Sequence, residues 1–276
     1  MKKGLIGISN NIKLNKEKIK LWAKTFKTVS DGEIILLAIN ADSEDINICN
    51  ELGIQHVQVE IKPEDLGYIN NKRLYHTVEF LKASDIDVFM VTDVFDVVFQ
   101  GDPFSKFDLD NYDVFVGGEG ILLSEEPWNS DVIKKCFPDY LEMCIHNEII
   151  CSGVMGGKRE SLISMLNTMD QMCENAETGH DIRDQAALII MVAKNEIPRL
   201  KILTINDGWA MHCATSGPTP FFDSWGMRHN LSQRYSVPKL VGDEIQTEDG
   251  RTYDIVHQFN RVPEWHQILI NKYIVE

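Results

Sequence analysis

In its first hundred residues the chain alternates short apolar runs with amphipathic stretches, and this alternation restricts the fold more than any other feature. Residues 4–9, 33–39 and 56–59 are apolar runs of strand length. Residues 15–28 and 44–52 lie between them, and the first carries Ile19, Trp22, Ala23 and Phe26 at helical spacing. Strands separated by single helices are joined by right-handed parallel crossovers. The expected class is therefore α/β, with a central mixed, mostly parallel sheet flanked by helices. In such sheets ligands bind beyond the carboxyl ends of the strands. Ser9, Asn10, Asn40 and Asp42 end the first two strands and so fall at that position, although each is also an ordinary cap or turn residue.

Residues 87–104, DVFMVTDVFDVVFQGDPF, are the second constraint. An apolar run of the kind that is buried on both faces stops at Asp93 and Asp96, and a second apolar run leads into the turn Gly101-Asp102-Pro103. Two carboxylates between two apolar strands lose their hydration unless something positive sits with them. A divalent cation is the obvious candidate. On a straight strand, positions three apart face opposite sides, so the two acids converge only if the chain bends between them. The competing reading makes them turn-forming acids that cap backbone amides.

The run resembles the acidic strand end of metal-dependent nucleotide-sugar glycosyltransferases with the GT-A fold. That family carries an Asp-x-Asp motif, followed by apolar residues and Gly-Asp. Counting back from Gly101-Asp102 puts Asp96 on the second acid of the motif, the usual metal ligand. The chain reads DxxD, so Asp93 stands one residue further upstream. The resemblance implies a single GT-A-like domain over residues 1–276, whose nucleotide-sugar-binding half, 1–104, ends at the acidic motif. Residues 105–276 would form the donor-sugar and acceptor half.

Other segments extend the resemblance in order. Arg73, in a helix expected over residues 71–83, stands where the family uses an arginine on the donor diphosphate or sugar. An apolar strand over residues 113–118 ends in a glycine pair, and residues 119–147 read as short helices and loops in which no residue is assigned a role. From Ile149 the sequence IICSGVMGG resembles the family's NSGVxGG segment, which holds the transferred sugar; Ser152 and Gly153 match it, and Cys151 replaces the asparagine. Residues 158–173 follow as an amphipathic helix whose methionines belong to the core. DIRDQAALIIMV, residues 181–192, opens polar and becomes apolar nearly all round, and Asp184-Gln185 matches the family's helix start beside the reacting carbon. Residues 214–238 read as a long covering loop. A short strand over residues 253–256 runs into His257, and Arg261 follows. These resemble the family's late metal-binding histidine and the basic residue beside the diphosphate.

The resemblance therefore implies Mn²⁺ or Mg²⁺ held by Asp93, Asp96 and His257. It implies a nucleoside-diphosphate sugar held by Ser9, Asn10, Asn40, Arg73, Asp93, Ser152, Gly153 and Arg261. Asp184 and Gln185 would be catalytic, and the acceptor a glycan, glycoprotein or glycolipid. Two rivals remain open on the sequence. One is a catalytically silent nucleotide-sugar or carbohydrate-binding protein of the same fold. The other is a sugar nucleotidyltransferase, which would carry a glycine-rich basic loop after the first strand, where this chain has Ser9-Asn10-Asn11-Ile12-Lys13.

Charge narrows the partners. With 27 basic and 42 acidic residues the formal net charge is -15, which argues against binding a nucleic-acid backbone. The amino-terminal apolar run is too short for a signal-peptide core and no stretch reaches transmembrane length, so a cytoplasmic location is expected. The six cysteines show no zinc-like pairing and read as buried small apolar residues.

Overall fold

The computed structural model describes residues 1–176, 182–217 and 238–274, so Asp181 and most of the expected covering loop lie outside the described residues. The strand–helix alternation begins at once. β1 (Lys3–Ser9) leads through α1 (Lys16–Val29) to β2 (Glu33–Ile39), and α2 (Ser43–Glu51) leads on to β3 (Gln55–Val59). The helix α3 (Ile69–Ala83) then returns the chain to β4 (Val88–Thr92), on the other side of β1. After a bend come β5 (Val97–Phe99) and β6 (Val114–Leu122), which continues past the expected glycine break. Two helices, α4 (Pro127–Cys136) and the single turn α5 (Leu141–Cys144), precede β7 (Glu148–Lys158). The helices α6 (Arg159–Glu174) and α7 (Asp184–Ala193) lead to β8 (Leu200–Leu203).

Seven of these strands form one sheet in the order β3-β2-β1-β4-β7-β6-β8, in which β7 runs against both of its neighbours and the other pairings are parallel. The expected class, α/β with a mixed, mostly parallel sheet flanked by helices, is present. Strands from both sides of residue 104 share this sheet, because β4 pairs directly with β7.

Side-chain alternation explains why helices cover both faces. Along β4, Phe89 and Val91 pack with Leu74, Val78 and Leu81 of α3 and with the leucine and methionine stripe of α6. Val88 and Met90 point the other way, into a core with Ile19, Trp22 and Phe26 of α1 and Ile48 of α2. A strand buried on both faces needs a continuous apolar run, which is what residues 88–91 supply. All six cysteines are free and buried.

A second, three-stranded sheet completes the site. It contains β5, β9 (Ala210–His212) and a late strand, β12 (Ile255–His257), which lies between the other two. Between β9 and β12 the chain forms the turn α8 (Cys213–Ser216) and the hairpin of β10 (Lys239–Val241) and β11 (Glu244–Gln246); α9 (Pro263–Tyr273) follows β12. Val98, Met211 and Val256, one from each strand, pack against Phe259 beyond β12 and against Trp265 and Leu269 of α9. The register sets His257 opposite Val97 on one side and opposite His212 on the other.

Candidate functional site

The order of strands reverses between β1 and β4, since β2 and β3 extend the sheet from one edge of β1 and β4 adds to the other. In open α/β sheets this is where a crevice opens beyond the strand ends. The indole N–H of Trp22 donates to Thr92 Oγ1 at 2.9 Å and fixes the end of β4. The chain then bends through residues 93–96. Asp93 N donates to Gly153 O at 2.9 Å, and Gln258 N donates to Asp96 O at 2.7 Å.

That bend brings the two carboxylates together. His257 Nε2 lies 3.3 Å from Asp93 Oδ2 and 3.7 Å from Asp96 Oδ1. Gly153 permits this approach, because a Cβ there would stand 2.6 Å from Asp93 Oδ2 and 2.7 Å from His257 Cε1. Burial raises the Asp96 carboxyl above its ordinary range; His257 pulls it down and Asp93 adds to the rise. Burial alone would drive the His257 imidazole neutral, but the Cys151 sulfur and the Asp93 and Asp96 carboxylates hold its proton and lift it well above its ordinary value. His212 moves the opposite way, lowered by burial and then by the charge of His257.

Arg73 stands behind the acids. Its guanidinium pairs with Asp93 and with Asp184, and it donates to Ser152 O at 3.2 Å and Ser152 Oγ at 3.3 Å. Burial would raise the Asp93 carboxyl, but Arg73, followed by His257, holds it well below the usual carboxylate range. Asp184 is fully buried at the first position of α7, where the helix dipole favours an acid. Next to it, Gln185 accepts from Ser152 N at 3.4 Å and donates to Asn129 Oδ1 at 2.9 Å and to Glu119 Oε1 at 3.3 Å.

These groups enclose a cleft of about 400 Å³ whose walls include Arg73, Asp93, Ser152, Gly153, Asp184, Gln185, His257 and Arg261. A smaller recess of about 190 Å³, containing Ser9, Asn10 and Asp96, shares Arg73 and Asp93 with it. Of the residues selected from the sequence, Asp42 stands apart from both spaces, and so does Asn40. Its side chain brackets two chain segments, donating from Nδ2 to Ile61 O at 2.8 Å and accepting from Ile61 N at 3.0 Å. It borders a separate depression with Gln58 and Lys62. Asn40 thus ties the end of β2 to Ile61, with its backbone at φ +48°, and lies outside both the cleft and the recess. Asp42 is likewise a helix cap, accepting from Glu44 N and Asp45 N.

The cleft also contains residues that the sequence left without a role. Glu119, on β6, is 5% exposed, and its carboxyl is pushed up to about 7, chiefly by burial. Glu126 caps α4 through Trp128 N and Asn129 N, and it accepts from Asn129 Nδ2, whose amide oxygen holds Gln185. Pro127 marks that helix start in the sequence, but nothing local shows that its cap faces a cleft.

Two overlapping groups can hold a cation among the described residues: Asp93 with Asp96 and His257, and Cys151 with His212 and His257. The first fits a hard divalent ion. Its donors are two carboxylates and an imidazole, and His257 Nε2 is buried without a hydrogen bond while facing both acids.

No helix among the described residues is long and apolar enough to cross a membrane. No protein-family model matches the chain, and no curated protein is similar to it at a significant level.

Proposed function

We propose that this chain is a divalent-cation-dependent glycosyltransferase with a GT-A-like fold, moving a sugar from a nucleoside-diphosphate donor to an acceptor hydroxyl on a glycan, glycoprotein or glycolipid. The observation that carries this reading is convergence. Arg73, the Asp93–Asp96 pair, Ser152–Gly153, Asp184–Gln185 and His257–Arg261 come from five separated segments, and all border the cleft or the recess joined to it. The recess, lined by Ser9 of β1 and Thr92 of β4, lies at the reversal of strand order.

Asp93, Asp96 and His257 would hold Mn²⁺ or Mg²⁺. When bound, the ion supplies positive charge to the diphosphate and offsets the charge that develops on the leaving group as the glycosidic bond breaks. A proton on His257 Nδ1, shared with His212 Nδ1 at 3.1 Å, leaves the Nε2 lone pair toward the acids. Arg261 adds a charge-assisted contact for the diphosphate at the cleft wall. Ser9 and Asn10 border the recess that takes the nucleoside end. Asp184, fully buried and paired with Arg73, is a positioning residue in this reading. Gln185, oriented by Asn129 and Ser152, is then the side chain beside the reacting carbon.

The test is metal-dependent release of nucleotide from a panel of UDP-, GDP- and dTDP-sugars, with calorimetric binding of the same panel and Asp96→Ala alongside. Release from one donor with Mn²⁺, lost in Asp96→Ala, is the expected result. Binding of a donor without turnover on any acceptor would favour the silent binding protein. Absence of both release and binding would overturn the nucleotide-sugar reading.

A further inference from the structure

The imidazole of His257 has a second edge that the hard-cation group does not use. His257 Nδ1 lies 3.1 Å from His212 Nδ1 and 3.4 Å from Cys151 Sγ. Relative exposures of these three residues are 1% for Cys151, 0% for His212 and 2% for His257. The donors come from three strands, β7, β9 and β12, and the parallel register of β9 with β12 sets the two histidines side by side. Gly117 on β6 leaves room for the His212 ring, since a Cβ there would stand 2.6 Å from its Nε2.

One thiol and two imidazoles suit soft or borderline cations, whereas carboxylates and water suit Mg²⁺ and Mn²⁺. A tetrahedral Zn²⁺ site with Zn–N near 2.0–2.1 Å and Zn–S near 2.3 Å has N–N and S–N edges of about 3.3 and 3.6 Å. The two separations from His257 Nδ1 are within about 0.2 Å of those edges, and the three donor side chains lie with their ligand atoms within 4.8 Å of one another.

We propose that Cys151, His212 and His257 form a thiolate–imidazole site for a soft divalent cation of the zinc class, distinct in donor chemistry and metal preference from Asp93, Asp96 and His257. On binding, Cys151 releases its thiol proton to solvent and gives the metal a thiolate lone pair. Each imidazole gives its Nδ1 lone pair and carries its proton on Nε2. On His257 that proton faces Asp93 Oδ2, 3.3 Å away, the carboxylate–histidine–metal arrangement that fixes a ligating ring. His257 borders the cleft, so the cleft is the entry path. A neutral imidazole bound through Nδ1 has no Nε2 lone pair to give, so a soft ion on one edge of the ring excludes a hard ion on the other. This site does not depend on the chain being a transferase.

The test uses the full chain, freed of metal with a chelator and titrated with Co²⁺, whose thiolate complexes absorb strongly in the near ultraviolet. We expect a thiolate-to-cobalt band that saturates at one equivalent and is displaced by Zn²⁺. Cys151→Ser should abolish the band, and Asp96→Ala should retain it. His212→Gln should weaken Co²⁺ binding by more than the ~10–100-fold that loss of a supporting group causes. Circular dichroism establishes that each variant is folded. The proposal is overturned by absence of the band in the unmodified chain, its survival in Cys151→Ser, its loss in folded Asp96→Ala, or unchanged affinity in His212→Gln. The unmodified chain alone decides the matter if the variants do not fold.

Discussion

Replacing Arg73 by Met tests the electrostatic frame of the cleft. The Arg73 side chain is 13% exposed and that of Asp184 is 1% exposed, so the substitution leaves a carboxylate out of water with no cation beside it. Asp184 Oδ1 has no hydrogen-bond partner even in the intact protein. Removing one member of a buried pair costs about 3–5 kcal/mol. Asp93 adds little to this, because its side chain is 34% exposed and it keeps His257 at 3.3 Å. For a chain of this length, unfolding entropy scaled per residue makes each kcal/mol worth about 1.7 °C, so Arg73→Met should lower Tm by roughly 5–9 °C. Adding Asp184→Asn replaces the stranded charge with a neutral amide, whose unpaired burial costs about 1–3 kcal/mol. The double variant should therefore recover about 2 kcal/mol. Urea and thermal unfolding of the wild type, both single variants and the double variant close this cycle. A loss below about 1 kcal/mol in Arg73→Met, or no recovery in the double variant, would refute the reasoning.

Other perturbations read the same geometry. Gly153→Ala puts a methyl carbon 2.6 Å from Asp93 Oδ2, and overpacking of this kind costs about 1–3 kcal/mol. Mn²⁺ affinity measured by calorimetry should fall with it, and an unchanged affinity would mean that Asp93 and His257 do not bind the ion together. His257 holds its proton well above the ordinary 6.5, so a hard cation must displace that proton. Apparent Mn²⁺ affinity should rise by about tenfold per pH unit below the raised value, and His257→Asn should remove that slope. Glu119 has its pKa raised from 4.5 to about 7, so between those values the native state binds more protons than the unfolded one. Its contribution to stability is complete below the lower value and is lost as pH rises through the higher. In metal-free protein, stability of Glu119→Gln relative to wild type should therefore climb by up to about 3 kcal/mol across that window. A constant difference between the two proteins would contradict the assignment.

Features carried by local periodicity were legible in the sequence. The apolar runs of β1, β2 and β4 predict a sheet covered on both faces, and the alternation of Phe89 and Val91 with Val88 and Met90 is the structural counterpart. The acids at 93 and 96 were recognisable because charge interrupts an otherwise apolar run. What the sequence could not supply was register. His212 sits in the short run Ala210-Met211-His212-Cys213 and acquires a neighbour only when β9 lies parallel to β12. Glu119 and Asn129 become cleft residues through Gln185, far away along the chain. Asn40 shows the converse case. A polar residue at a strand end is a good ligand candidate by position, yet its amide holds Ile61 and it borders neither the cleft nor the recess.

The place of β12 has a consequence for how the protein comes into being. Asp93 and Asp96 are synthesised well before His257, the residue that faces them. Closing so long a segment is slow, because its entropy must be surrendered before the contacts reward it. Asp96 is held through its carbonyl by Gln258, so the bend that joins the two acids is itself completed by the segment that joins β5 to β9. Competence to bind a cation at His257 arises only with the docking of β12, so occupancy of that ring reports that the two ends of the structure have met.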